Sequence, residues 1–177
     1  SIQNTYNEWK ASIWAKEGVQ CQNCHMPKRA HLWRGIHDKE MAQSAVTLDV
    51  ELEDKAPKDI VSAKIILTNT GAGHYFPTYI TPSVDVIAWL EDKNGAALPG
   101  SQVVEIIERK LSSDFSREIY DKRIPPQEAF IMNYRRGRPP EAATLRVRVR
   151  VRPDSFYLGF FKATLGGRGL SKKARKL

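Results

Sequence analysis

The stretch Val46-Thr47-Leu48-Asp49-Val50-Glu51-Leu52 carries an apolar residue at every second position, the period of a β-strand with one buried face. Similar runs follow at Ile60 to Thr68, Val84 to Leu90, Gln102 to Glu108, Ala129 to Tyr134 and Leu145 to Val151. Asn94-Gly95, Pro99-Gly100, Pro125-Pro126 and Pro139-Pro140 stand between several of them, and such pairs favour turns because Gly accepts positive φ and Pro fixes φ. Six or seven short strands punctuated in this way predict a mainly β protein, an antiparallel immunoglobulin-like β-sandwich over residues 46–165. A closed barrel is the competing all-β architecture.

Upstream of Ala45 the alternation is absent, and residues 1–45 are expected to form a separate helical and loop segment. Tyr6, Trp9, Ile13 and Trp14 recur at helical spacing, predicting a short amphipathic helix from Tyr6 to Lys16. Beyond it stands Cys21-Gln22-Asn23-Cys24-His25. Two thiols three positions apart with an imidazole immediately after form the attachment pattern of a c-type haem: both sulfurs bond to the vinyl groups and the histidine becomes the proximal iron ligand. These are the chain's only two cysteines, which leaves none for a disulfide or for a second zinc-ligating pair. A thioredoxin-like dithiol would require a buried strand just before the motif, where Ala11 to Gln20 reads as helical or irregular. One covalently attached haem c is therefore expected, walled by Trp9 and Trp14, whose large apolar rings suit either core packing or burial of a haem face. Met26-Pro27 should end any helix after His25. Asp38 should cap another from Lys39 to about Ala45.

The sixth iron ligand is open at this level. His37 is the lead candidate, because it lies in a loop before a capped helix and could fold back over the haem. His74 is second, in the glycine-rich loop Gly71-Ala72-Gly73-His74, and His31 is third. Met26 is too close to His25 to cross the ring, so a methionine ligand would be Met41 or Met132. If the sixth position were open, a spare histidine or Arg34 would be the acid or base beside a bound small ligand.

The 177-residue chain has 41% hydrophobic residues and a formal charge of +8, enough apolar content for a core and a bias towards acidic partners. Arg146, Arg148, Arg150 and Arg152 alternate with Leu145, Val147, Val149 and Val151. Their shared face is either a solvated surface that discourages edge pairing or a docking patch for an acidic redox protein or for haem propionates. No nucleic-acid motif accompanies the basic residues. No apolar run approaches membrane-spanning length, so any association with a membrane complex would be peripheral. Phe156 to Leu165 is expected to pack over the sandwich or the haem segment, with a flexible basic tail over 166–177. Haem attachment outside the cytoplasm, together with a chain opening on Ser1, implies a periplasmic or otherwise extracytoplasmic protein whose leader has been removed.

Four strings together resemble the C-terminal part of bacterial multihaem c-type cytochromes related to the cytochrome c554 group: Tyr6-x-x-Trp9-x-x-Ser12, Gly18-Val19-Gln20-Cys21-x-x-Cys24-His25-Met26-Pro27, His31-x-Trp33-x-Gly35-x-His37-Asp38, and Asn69-Thr70-Gly71-Ala72-Gly73-His74-x-Phe76-Pro77-Thr78. The resemblance implies extracytoplasmic electron transfer alongside further haems upstream. This chain departs from it in having one attachment motif, and Trp14 where many relatives have a histidine. The expected function is a monohaem electron carrier or relay subunit, not an enzyme, with an acidic redox protein or other cytochrome subunits as partners. The alternative is a haem with an open distal site that binds or reduces a small ligand; a mainly structural subunit of a respiratory assembly overlaps the first reading.

Overall fold

The computed structural model describes residues 3–112 and 114–166. Its N-terminal part holds α1 (Thr5–Lys10), α2 (Ile13–Lys16), α3 (Cys21–His25) and α4 (Lys39–Ser44). The single helix expected over Tyr6 to Lys16 is broken at Ser12. The Ser12 hydroxyl donates to the Trp9 carbonyl at 2.6 Å, and its backbone is extended, at φ −80° and ψ 165°. A local side-chain bond has displaced the helical one, as serine tends to do, so the chain turns between two short helices. The other two boundaries follow expectation: α3 stops at His25 before Met26-Pro27, and Asp38 caps α4 by accepting from the Met41 N–H at 2.9 Å.

The remainder is antiparallel. Strands β1 (Thr47–Leu52), β2 (Ile60–Thr68), β3 (Ser83–Glu91), β4 (Val103–Ile107), β5 (Arg109–Leu111), β6 (Glu118–Asp121), β7 (Ala129–Gly137) and β8 (Thr144–Arg152) precede helix α5 (Ser155–Gly166). They form sheets ordered β1-β2-β7 and β4-β3-β8, with β5-β6 as a separate hairpin. Ala63, Ile65 and Leu67 of β2 and Met132 and Tyr134 of β7 share one buried cluster with Val84, Val86, Ala88 and Leu90 of β3. The core is thus the space between the two three-stranded sheets. Tyr134 closes it: its side chain is fully buried, and its hydroxyl donates to the Ser101 carbonyl at 2.8 Å.

Three departures from the alternation have physical causes. Leu48, Val50 and Leu52 pair with Leu67, Ile65 and Ala63 and so lie on the core-facing side, yet Leu52 is 62% exposed. β1 is an edge strand, and its apolar row overhangs the core. The arginines of β8 are committed to their neighbour: Arg150 and Arg152 both donate to Oδ2 of the buried Asp85, Arg146 to Glu91, and Arg148 lies over the Trp89 ring at 5.1 Å. The β5-β6 hairpin follows β4 directly and has no apolar alternation to betray it. Phe156 to Leu165 does not pack over the sandwich as expected. Helix α5 is held at its start, where Ser155 Oγ and the Phe156 N–H donate to the Thr81 carbonyl, while Phe160 and Phe161 are each 57% exposed. The tail expected to be flexible lies, beyond Gly166, outside the described residues.

Candidate haem site

The helical segment and one loop of the sandwich enclose a cavity of 450 Å³, within the ~300–1,000 Å³ of cofactor pockets. Trp9, Trp14, Cys21, Cys24, His25 and His74 all line it. Two turns of chain build the proximal wall. Helix α3 is short but places Cys21, Cys24 and His25 within one and a half turns, so that both thiols and the imidazole reach the same space. Its entry is fixed by the Gln20 N–H, which donates to Asn23 Oδ1 at 2.7 Å. Both thiols are free and exposed.

His25 Nδ1 hydrogen-bonds the Arg34 carbonyl. A carbonyl only accepts, so Nδ1 carries the proton and Nε2 keeps its lone pair for a metal. Trp33 stacks on the ring, with centroids 5.2 Å apart and planes 16° from parallel. The Arg34 guanidinium is held by Asp38 at 2.6 Å and Glu40 at 2.8 Å. That pairing raises the arginine above its usual pKa and holds the Asp38 carboxyl down at about 2. Arg34 is therefore engaged as a strut of the 34–40 loop and is not a free acid beside the cavity.

The opposite wall is the loop between β2 and β3. Buried Asn69 ties it: Nδ2 donates to the carbonyls of His74 and Ile124, and Oδ1 accepts from the Ala72 N–H. The loop packs so tightly that a methyl on Gly71 would come within 2.0 Å of the Ser44 carbonyl oxygen, and one on Gly73 within 2.9 Å of Trp14 Cδ1. Here glycine is required by close approach. His74 results from that packing: its ring lies 6.1 Å from that of His25, with planes 13° from parallel. Its Nδ1 donates to the Tyr75 carbonyl at 3.0 Å, leaving Nε2 as the lone-pair nitrogen. Burial pushes the imidazole below its usual pKa, which keeps it neutral.

These residues fit a c-type haem. A nitrogen ligand stands about 2 Å from a transition metal and about 1 Å from its own ring centre, so two imidazoles on opposite sides of one ion have centroids roughly 6 Å apart. The observed 6.1 Å meets that separation. Both thiols border the same space, and the buried indole N–H of Trp14, a lining residue, has no hydrogen-bond partner among the described residues, so a donor is available to a polar edge. No group of three or more His, Cys, Asp or Glu capable of holding a bare metal ion occurs among the described residues.

The other histidines lie elsewhere. His37, first among the expected distal candidates, is outside the cavity lining: its Nε2 faces Asp154 at 3.2 Å and its side chain is 69% exposed. The loop folds away because Asp38 is drawn to Arg34 and to the start of α4. His31 is exposed and also outside the lining, Met132 is in the sandwich core, and Met41 lines the cavity.

Sequence reading missed Glu8, Asp121 and Arg123. Glu8 lies on α1 and Arg123 in the segment after the hairpin, and they form an ion pair at 3.0 Å with both side chains 4% exposed. Glu8 also accepts from the Tyr75 N–H at 3.1 Å, beside His74. Although burial opposes it, Asp121 and Glu8 raise the Arg123 pKa above its usual value. At helical spacing Glu8 falls opposite the Tyr6, Trp9 and Ile13 stripe, where a solvated charge is expected, so no pattern in the sequence hinted at its burial.

No protein-family model matches the chain, and no curated protein matches it. The fold is similar to that of a penta-heme cytochrome c552 from Thermochromatium tepidum. The superposition has a TM-score of 0.70 at 19% identity and covers 93% of this chain and 46% of that one. The present chain thus spans about half the length of that cytochrome. The likeness is one of fold: helical segment and sheets together follow part of a multihaem c-type cytochrome, without singling out the cytochrome c554 group.

Proposed function

We propose that the chain is a haem c protein that carries electrons, with Cys21 and Cys24 as the thioether attachments, His25 as the proximal ligand and His74 as the distal one. The observation that carries this is the pair of near-parallel imidazoles bordering one cavity, with ring centroids 6.1 Å apart and each Nδ1 engaged by a carbonyl. A haem there would be held by Cys21, Cys24, His25 and His74 and would supply one-electron redox chemistry. The chain's own part is to hold both rings still: α3 and the Arg34 carbonyl orient His25, while Asn69 and the two close-packed glycines orient His74. Trp9, Trp14 and Trp33 give the cavity apolar walls.

The single attachment motif supports one haem in this chain, and covalent attachment supports an extracytoplasmic location. Similarity to part of a penta-heme cytochrome favours a relay role beside other cytochrome subunits or an acidic redox protein. The ligand-binding alternative needs an accessible sixth position, which a distal His74 would fill.

Absorption spectra of the oxidised and dithionite-reduced protein, with and without carbon monoxide, test the proposal. The expected result is a low-spin haem that binds carbon monoxide slowly, converted to a high-spin, readily carbonylated form by His74→Ala but not by His37→Ala. A wild type that carbonylates as fast as His74→Ala, or one whose spectrum answers to His37→Ala alone, refutes the axial assignment; protein without haem refutes the whole reading.

A further inference from the structure

His74 has to be held against an incoming ligand by something firmer than its own loop, and the structure supplies two supports on the side away from the cavity. Glu8 of α1 uses both carboxylate oxygens: Oε2 accepts from the Tyr75 N–H at 3.1 Å and Oε1 from Arg123 Nη1 at 3.0 Å. Arg123 Nη1 also donates to the Thr78 carbonyl at 2.7 Å, and its guanidinium lies 5.0 Å from the centroid of the Tyr75 ring. Asp121 takes the remaining fork, with Nη2 to Oδ2 at 2.7 Å. The two residues grip Tyr75 and Thr78, the ends of the backbone that leaves His74. Glu8 is also the neighbour of Trp9, which walls the cavity, so the clamp ties that wall and the distal loop to one point.

We propose that Glu8 and Arg123 are a positioning pair that sets how tightly His74 holds the sixth position; this rests on the reading of His74 as the distal ligand. A buried ion pair is seldom justified by stability alone, since its desolvation offsets much of its attraction. This one bridges two parts of the fold and ends on a backbone N–H one residue from a ligand. Charge-assisted bonds of this kind are directional and costly to leave half made. Glu8 therefore restrains His74 from withdrawing, although it touches neither the imidazole nor the cavity.

The test is the rate at which the reduced holoprotein binds carbon monoxide, which is limited by departure of His74, together with the spin state of the oxidised form. His74→Ala serves as the reference for a fully open site. Glu8→Ala is expected to raise the rate by roughly tenfold or more, the scale on which one charge-assisted hydrogen bond shifts a two-state equilibrium, and added imidazole should restore the low-spin spectrum. Glu8→Gln keeps an acceptor for the Tyr75 N–H and should lie between wild type and Glu8→Ala. If Glu8→Ala fails to assemble with haem, Arg123→Lys takes its place: the charge remains while the fork to Thr78 and Asp121 is lost, and the rate should again rise. A rate unchanged from wild type in whichever of these variants assembles, while His74→Ala binds carbon monoxide freely, overturns the positioning role. If His74→Ala is itself low-spin and inert, the ligand assignment has failed, and the inference falls with it.

Discussion

Gly73→Ala is a demanding perturbation, because it adds a single methyl next to His74. That methyl would lie 2.9 Å from Trp14 Cδ1, 3.2 Å from Trp9 Cδ1 and 3.3 Å from Trp14 Cβ. Carbon atoms prefer about 3.5–4.0 Å, so something must move by roughly half an ångström or more. Neither indole yields cheaply: Trp9 donates its N–H to the Val19 carbonyl at 2.9 Å, and Trp14 lines the cavity with its N–H buried. Overpacking of this kind costs about 1–3 kcal/mol. If the loop relieves the strain by drawing His74 back, that energy appears as a roughly 5- to 150-fold rise in the population with an open sixth position. Carbon monoxide binding by stopped flow reads this population, and a denaturant midpoint reads the stability. Gly71→Ala, aimed at a backbone oxygen 2.0 Å away, should be the more disruptive of the two. A Gly73→Ala protein as stable and as inert to carbon monoxide as wild type would refute the close-packed loop as the device that presents His74.

Other outcomes follow from the same structure. Asp85→Ala should destabilise the protein by about 1–3 kcal/mol in chemical denaturation: it strips the shared carboxylate from Arg150 and Arg152, but both arginines are about half exposed and regain water, so the loss falls short of that for a fully buried pair. An unchanged midpoint would show that the paired arginines contribute nothing to the sheet. The folded-state pKa of Asp38 is lowered from 3.8 to about 2, chiefly by the hydrogen bond from Arg34. Its contribution is therefore complete above pH 3.8 and lost as the pH falls towards 2. Carboxyl chemical shifts should titrate in that window in wild type, and Asp38→Asn should remove the dependence. Arg148→Gln, which leaves the carboxylate-paired arginines intact, should lower the low-salt rate of electron transfer to an acidic redox protein if the β8 face is a docking patch; an unchanged rate assigns that face to structure alone.

The sequence was most legible where chemistry is local. The Cys21 to His25 spacing needs only one short helix to present its three groups, and the boundaries set by Pro27 and Asp38 depend on neighbours in the chain. Alternation located six of the eight strands, since each carries its burial pattern in its own side chains. It did not reveal that β1 overhangs the core or that β5-β6 forms a hairpin, because an edge position and a charged ribbon depend on what lies opposite. The choice among His31, His37 and His74 was beyond sequence for the same reason. His37 was favoured because its loop precedes a capped helix and could fold back, yet it lies outside the cavity lining, which His74 borders. The Arg34–Asp38 pair turned His37 out to Asp154, and tight packing of the glycine loop on Trp9 and Trp14 turned His74 in. Sequence alone determined that two thiols and an imidazole stand together on one short helix, because that depends only on residue types and short spacings. The tertiary structure decided which imidazole faces His25, because that depends on contacts between Glu8, the 69–78 loop and Arg123, which only the folded chain brings together.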